Sequence, residues 1–404
     1  MTYRAFKYRF YPTSTQEILL RRTFGCVRLV FNKALALRSN AWKNEKIRIG
    51  HFDLDKALTA WKKEDELRFL NEVSCVPLQQ ALRHLDKAFT NFFAKRSGYP
   101  KFKHKCNEGS AEFTRSAFKY CDGALFLAKL KEPLNVVWSR IIPNDAQPST
   151  VTVKLDAAGR WFVIILCDVE LDFSPTVDGK IGLDLGITSL ITFSTGEKID
   201  NPRYFDHEAV RLRKAQRRVD KKEKGSKNRR KAALKFARIH AKIVDRRNDN
   251  LHKLTTRIVQ ENQLIVIEDL AVKNMVRNHS LARVISDAGW AKLVGQLEYK
   301  AHQYGRTIKK VDRWFPSSKT CFNCGYIAES LPLGVRDWTC PACNAKLDRD
   351  VNAAKNILAA ELAVSACGEG VRLKGKPARK QPSAKQEASN ANLGTSILKL
   401  LRKS

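Results

Sequence analysis

Long apolar runs are missing from this chain. The N-terminus, Met1-Thr2-Tyr3-Arg4-Ala5-Phe6-Lys7, has no stretch of signal-peptide length. The most apolar run, Trp161 to Cys167, is too short to span a bilayer. A cytoplasmic, nucleoid-associated protein with no membrane partner is therefore expected. Acid is scarce: 41 Asp and Glu stand against 74 Lys and Arg, a net charge of +33. Such a surplus points to a polyanion, because each neutralised phosphate releases condensed counterions. A disulfide framework is missing too. Of 10 cysteines, Cys26, Cys75, Cys106, Cys121, Cys167 and Cys367 stand without regular spacing, and they are expected to be reduced, mostly buried thiols.

What is present is ordinary for folded protein, with 43% hydrophobic and 9% aromatic residues over 404 positions, enough for two to four domains. Residues 3–10 alternate, which predicts a strand that Pro12 ends, and Thr15 is expected to cap a helix from Gln16. From about 14 to 98 the periodicity is helical, carried by Phe24, Val27 and Val30, by Leu54, Leu58 and Trp61, and by Leu78, Leu82, Leu85, Phe89 and Phe92. From 99 to 176 come short β-like runs, Ala124 to Leu130, Val136 to Ile142, Val151 to Leu155 and Trp161 to Val169. Turn signals such as Asp122-Gly123 separate them. They predict a small antiparallel barrel, which the strand at 3–10 completes across the helical insertion.

From Gly179 the texture changes again. Lys180 to Gly186 reads as a buried strand carrying one acid, with Ser189 to Thr195 as its hairpin partner. Residues 206–261 are helical but interrupted at Gly225-Ser226, which predicts a helical hairpin. Between Arg211 and Arg247 this stretch holds 17 Lys or Arg and 3 acids in 37 residues. A run of charge is often only a solvated face, but one so one-sided suits a phosphate-tracking surface. Arg211, Arg213, Lys214, Arg217, Arg218, Arg229 and Arg230 are its candidate contacts. Leu264 to Leu270 is a second buried strand ending in acid, and a helix at 280–304 and a strand at Thr307–Val311 complete an α/β pattern. Residues 368–404 lack Phe, Tyr and Trp and carry 9 basic against 2 acidic residues, a tail expected to be disordered without its partner.

Two features carry chemistry. Cys321-Phe322-Asn323-Cys324 and Cys340-Pro341-Ala342-Cys343 are separated by 15 residues, a spacing that places four thiolates around one Zn²⁺ and leaves no position for water, so the site is structural. The other is a set of acids: Asp184 and Glu268 end apolar strands, and Asp350 opens a helix. They stand 84 and 82 residues apart, so only a fold can bring them together, and an RNase H-like sheet does so. Three such carboxylates repel unless divalent cations lie between them; two Mg²⁺ held there would serve phosphodiester hydrolysis. Each acid also has a plain reading. Asp184 can be a turn residue before Gly186. Strand alternation lets only one of Glu268 and Asp269 face a given site. Asp350 can be a helix N-cap, and Asp348 a metal neighbour or a surface acid.

From Tyr3 to about Leu358 the chain resembles the TnpB (OrfB) proteins of insertion sequences, compact relatives of type V CRISPR nucleases. The resemblance is densest in Gly182-Leu183-Asp184-Leu185-Gly186, Ile267-Glu268-Asp269-Leu270, Ser286-Asp287-Ala288-Gly289-Trp290, Phe315-Pro316-Ser317-Ser318-Lys319-Thr320-Cys321 and Asp348-Arg349-Asp350-Val351-Asn352-Ala353-Ala354. It implies an α/β multidomain chain. A wedge-like β-barrel would comprise 1–13 and 99–176, and a helical recognition domain 14–98. A RuvC-type, RNase H-like nuclease domain would comprise 177–319 and 347–366, with a zinc ribbon at 320–346 and the tail at 367–404. It also implies a Mg²⁺-dependent, RNA-guided DNA endonuclease whose partners are a transposon-derived guide RNA and double-stranded target DNA; a monomer is expected. By resemblance the catalytic, Mg²⁺-holding acids fall on Asp184, Glu268 and Asp350, and the zinc ligands on Cys321, Cys324, Cys340 and Cys343. The helix with Leu78-Gln79-Gln80 resembles the segment lying against a target-adjacent motif, where Gln79 can read a base edge or simply be a solvated glutamine. A DNA strand-transfer transposase and a guided binder that does not cut are the alternatives.

Overall fold

The computed structural model describes residues 2–104, 108–143, 145–170, 173–332 and 334–366; Cys106, Cys367 and the basic tail lie outside them. The chain forms two compact units, Met1–Leu171 with Leu212–Ala241, and Asp172–Arg211 with Lys242–Ser404. Among the described residues no helix is long and apolar enough to cross a membrane.

In the first unit, strand β1 (Thr2–Phe10) buries Phe6, Tyr8 and Phe10 at alternate positions. Helix α1 (Ser14–Glu45) follows, capped by Thr13 and not by the expected Thr15. The reason is a capping box: Gln16 N–H donates to Thr13 Oγ1 at 3.3 Å while Gln16 Oε1 accepts from Thr13 N–H at 3.1 Å. Thr15 has Ile18 three residues on, which offers no such return bond. After α2 (His51–Trp61) and a 3₁₀ turn comes α3 (Cys75–Phe93). The three predicted stripes face inward: Phe24, Val27, Val30, Leu54, Leu58, Trp61, Leu78, Leu82, Leu85 and Phe89 are all buried, while Phe92, at the end of the third, is only half-buried. Burial of each such side chain contributes about 1.5–3 kcal/mol.

Strands β2 (Gly109–Thr114), β3 (Phe118–Cys121), β4 (Ala124–Leu127), β5 (Val136–Val137), β6 (Gln147–Leu155) and β7 (Trp161–Val169) follow in this unit. The main sheet is antiparallel in the order β2-β6-β7-β1-β5, and β3-β4 is a separate hairpin. As expected, β1 joins across the helical insertion, pairing with β7 from Thr2↔Val169 to Arg9↔Phe162. Among the described residues β2 and β5 pair on one side only. Two expected strands are shorter. The one at 136–142 keeps only Val136–Val137, because Ser139 N–H turns back to the Val137 carbonyl. The one at 124–130 ends at Leu127, two residues before Lys129 takes a left-handed φ of 72°. The hairpin turn does fall at Asp122-Gly123, both with positive φ.

The second unit is built on β8 (Lys180–Asp184), β9 (Ser189–Phe193), β10 (Lys198–Asp200), β11 (Leu264–Glu268) and β12 (Thr307–Val311), ordered β10-β9-β8-β11-β12. The first three strands are antiparallel; β11 runs parallel to both β8 and β12. Between β10 and β11, helices α4 (Tyr204–Asp220) and α5 (Lys227–Glu261) are separated at Gly225, whose φ is 88°. They run antiparallel, with Glu208 Oε1 3.7 Å from Arg246 Nη1. After β11 come α6 (Val272–Met275), α7 (Ala282–Ala288) and α8 (Trp290–Tyr304). The single helix expected at 280–304 is thus two, because Gly289 adopts φ 71° and ends α7. The β13 (Asp337–Thr339) and β14 (Lys346–Asp348) hairpin precedes the last described helix, α9 (Arg349–Ala366).

Helices cover both faces of this sheet. Ile181, Leu183, Ile265 and Ile267 pack in one core with Leu251 and Ile258 of α5 and Leu293 and Leu297 of α8. On the other face α9 lies so close to β8 that a Cβ placed on Gly182 would stand 2.2 Å from the Ala354 carbonyl oxygen and 2.9 Å from Leu358 Cβ. Only glycine permits that approach.

Candidate active site and metal centre

Two of the three acids are fixed by sheet register. Leu183 pairs with Ile267 in the parallel β8–β11 ladder, so the next residues, Asp184 and Glu268, end adjacent strands on the same edge. Glu268 is 7% exposed, a buried carboxylate. Its neighbour Asp269 points elsewhere and forms an ion pair with Arg313. The third acid is delivered by α9. Ala354 packs on Gly182, and Asp350 lies one helical turn before Ala354 while Asp184 lies two strand residues beyond Gly182. Asp184 and Asp350 accordingly line one cleft, with Ser189, Ser317, Arg336 and Arg349 among its walls.

The cap of α9 is Asp348: its Oδ1 accepts from Val351 N–H at 2.9 Å. Asp350, a candidate for that role from sequence, is left facing the cleft, where Arg336 Nη1 donates to its Oδ1 at 3.2 Å. Asp348 also takes Lys198 Nζ at 2.6 Å. Partial burial works to raise its pKa, but the Lys198 bond and charge with the Val351 and Asp350 N–H groups outweigh burial and hold it below the ordinary 3.8. A donor set of carboxylate oxygens is the kind that hard divalent cations take.

The four cysteines converge. Their sulfurs all lie within 4.8 Å of one another, with Cys321 Sγ 3.7 Å from Cys343 Sγ and Cys324 Sγ 3.6 Å from Cys340 Sγ. A tetrahedron with Zn–S bonds of about 2.3 Å has edges of about 3.8 Å, so the sulfur set fits Zn²⁺. The two knuckles are built alike: Gly325 and Asn344, each directly after a second cysteine, have φ of 77° and 55°. Hydrogen bonds from Ala345 N–H and the Asn323 side chain draw Cys343 down to about 6. The Tyr326 N–H works to lower Cys324, but desolvation and its three sulfur neighbours together outweigh it and push Cys324 up to about 12. Thiolates this close do not coexist without a cation between them.

The cysteine cluster is tied to the helix that carries Asp350. Asn356 Nδ2 donates to the carbonyls of Ser317 at 2.9 Å and Thr320 at 2.6 Å. Asn352 Nδ2 donates to the Thr320 carbonyl at 2.7 Å, and its Oδ1 accepts from Phe322 N–H. Asn352 stands within a run that marks the family resemblance, yet periodicity gives it no role; only its near-complete burial reveals one.

The candidate nucleic-acid contacts are spread more widely. Gln79 is exposed on α3 while Gln80 beside it is buried. Arg211, Arg213, Lys214, Arg217, Arg218 and Arg230 are exposed on the helical hairpin. Arg229 differs: its Nη1 donates to the carbonyls of Val219 at 3.0 Å and Lys222 at 2.9 Å and closes the hairpin turn. Of the remaining described cysteines, Cys26 and Cys167 are buried, but Cys75 and Cys121 are exposed, against expectation. Both stand on surface positions of their elements, at the start of α3 and the end of β3.

This arrangement is a mixed α/β unit with a four-cysteine, ribbon-like cluster beside the end of its sheet. A solved structure titled "Cryo-EM structure of the Cas12f1-sgRNA-target DNA complex" aligns with 85% of this chain and 82% of that one, at a TM-score of 0.52 and 17% identity. Residues 167–279 match the OrfB_IS605 family, described as "Probable transposase", and residues 290–357 match "Cas12f1-like, TNB domain". Residues 1–46 match "Helix-turn-helix domain", although in this chain β1 is followed there by one unbroken helix, α1. A Streptomyces pristinaespiralis protein named "Putative RNA-guided DNA endonuclease" is 57% identical over 97% of this chain and 98% of its own length. "Putative RNA-guided DNA endonuclease InsQ" of Escherichia coli (strain K12) is 32% identical over 95% of this chain and 98% of its own. The chain belongs to the TnpB-like OrfB family of IS605-type transposable elements.

Proposed function

We propose that the chain is an RNA-guided DNA endonuclease of transposon origin whose second unit is a RuvC-type, RNase H-like nuclease. Support comes first from one observation: Asp184 and Asp350 share a cleft at the sheet edge where the buried Glu268 also ends its strand. The strand order, third-second-first-fourth-fifth with the last two parallel to the first, is the one an RNase H-like sheet requires. Asp184, Glu268 and Asp350 would together hold two Mg²⁺. When bound, those ions supply an activated water and offset charge on the leaving oxygen, giving 5′-phosphate and 3′-hydroxyl ends. The protein groups orient the site: Gly182 lets α9 approach, Asp348 caps it, and Arg336 balances charge beside Asp350. The cysteine ribbon would hold Zn²⁺ with all four positions filled, a structural role.

In this reading guide pairing supplies sequence choice and the protein grips backbone, which suits a net charge of +33 spread over the chain. The sheet of 1–13 and 99–176 would be a wedge-like small barrel, 14–98 a recognition domain, 177–319 with 347–366 the nuclease, and 320–346 the zinc ribbon. Gln79 and the exposed hairpin arginines would meet nucleic acid.

The test is to purify the chain with its flanking element RNA and assay cutting of a matching duplex with Mg²⁺. Wild type is expected to cut, and Asp184→Ala to bind RNA and DNA but leave the duplex whole. Joining of transposon ends instead would support a strand-transfer transposase. Binding by wild type without cutting would support a guided repressor.

A further inference from the structure

Trp314 is 76% exposed, although an indole is among the largest apolar groups a protein can bury. The other strongly exposed tryptophan, Trp42, has the cations of Lys46 and Arg48 over its ring. Trp314 stands outward on a loop tied by hydrogen bonds. Its backbone N–H donates to Asp312 Oδ1 at 2.8 Å, and Phe315 N–H donates to the Asp312 carbonyl at 3.0 Å. Arg313 before it is tied to Asp269, and Ser317 after it is buried with its carbonyl bound by Asn356. The loop leaves β12 at Val311, the register partner of Glu268, and reaches the cleft of Asp184 and Asp350 at Ser317 and Ser318. A preformed aromatic face thus stands on the lip of the carboxylate edge.

We propose that Trp314 is a stacking platform for an unpaired base of the DNA strand delivered to Asp184, Glu268 and Asp350. The chemistry selects a single strand, because in a duplex both faces of each base are already covered, whereas an unpaired base offers a π-face to an indole regardless of its identity. Holding one base fixes the neighbouring phosphodiester against the carboxylates. Arg313 does not lead this contact, since its guanidinium is engaged by Asp269. The inference rests on the nuclease reading above.

The test uses the full chain with its guide RNA and a target carrying a pre-opened bubble. Single-turnover cutting is measured for wild type, Trp314→Ala and Trp314→Phe. The same series is run with an abasic nucleotide walked across positions flanking the cut. Trp314→Ala is expected to slow cutting about tenfold or more with guide RNA affinity unchanged, and Trp314→Phe to retain most of the rate. One abasic position should slow wild type but not slow Trp314→Ala further. Equal cutting by wild type and Trp314→Ala, equal abasic penalties in both, or a loss of guide RNA binding in Trp314→Ala would each overturn the stacking role while leaving the nuclease reading intact. A wild-type chain that cuts no substrate overturns that reading and the inference with it.

Discussion

Asn352 Oδ1 accepts a hydrogen bond from Phe322 N–H at 2.9 Å, which joins the first turns of α9 to the first cysteine knuckle. Asn352 itself is 1% exposed, and its amide also donates to the Thr320 carbonyl. Asn352→Ala would leave the Phe322 N–H without its acceptor and the Thr320 carbonyl with Asn356 as its remaining side-chain donor, at about 1–3 kcal/mol. The expected outcome is a lower Tm together with faster zinc release to a chelator, and cutting that falls because Asp350 rides on the same helix. Calorimetry and a colorimetric zinc assay check it; unchanged zinc release would show that knuckle and helix are not coupled.

Gly182→Ala tests the approach of α9 to β8. A Cβ 2.2 Å from the Ala354 carbonyl oxygen meets backbone and not a flexible side chain. Sheet or helix must shift, at about 1–3 kcal/mol or more. Cutting is expected to fall by at least an order of magnitude while RNA binding persists, because the shift moves Asp350 relative to Asp184. Binding isotherms and single-turnover cutting on one preparation separate the two effects.

Much of this was legible in the sequence, for reasons that also explain what was not. The stripe Leu78, Leu82, Leu85, Phe89 is a local period, and burial follows it directly. Cysteine spacing is local too, and the sulfurs converge. The neighbourhood of Asp184 and Asp350 is a property of register and helix packing, so sequence alone offered each acid a plain alternative. Asp348 and Asp350 are both able to cap a helix, and only the helix start decides between them. Thr13 and Thr15 pose the same problem, resolved by the position of Gln16. Asn352 and Asn356 act through carbonyls 30 and more residues away, a relation no periodicity encodes.

Asp348 gives a pH dependence with a definite sign. Its carboxyl is held below 3.8, chiefly by Lys198 against the opposing effect of burial. A group that ionises more readily folded than unfolded adds stability at pH above its unfolded value and loses that contribution as pH falls through the folded one. The stability gap between wild type and Asp348→Asn is therefore expected to be flat from pH 5 to 8, and to shrink as pH falls below about 4. Denaturant titrations at several pH values measure it. A gap that instead widens on acidification would mean that the Lys198 pair does not control this carboxyl.

The basic hairpin yields a prediction in salt. Arg213 and Arg217 are exposed on α4, four residues apart and so on one helical face. If each neutralises a phosphate, binding releases counterions, and log K falls with log salt by about 0.7–0.9 per contact. The Arg213→Ala, Arg217→Ala double variant is expected to bind nucleic acid more weakly at low salt, with a slope shallower by about 1.4–1.8. Fluorescence anisotropy across a salt series gives both quantities. Weaker binding with an unchanged slope would assign the loss to altered helix packing. A shallower slope ties it to phosphate contact, because packing defects release no counterions.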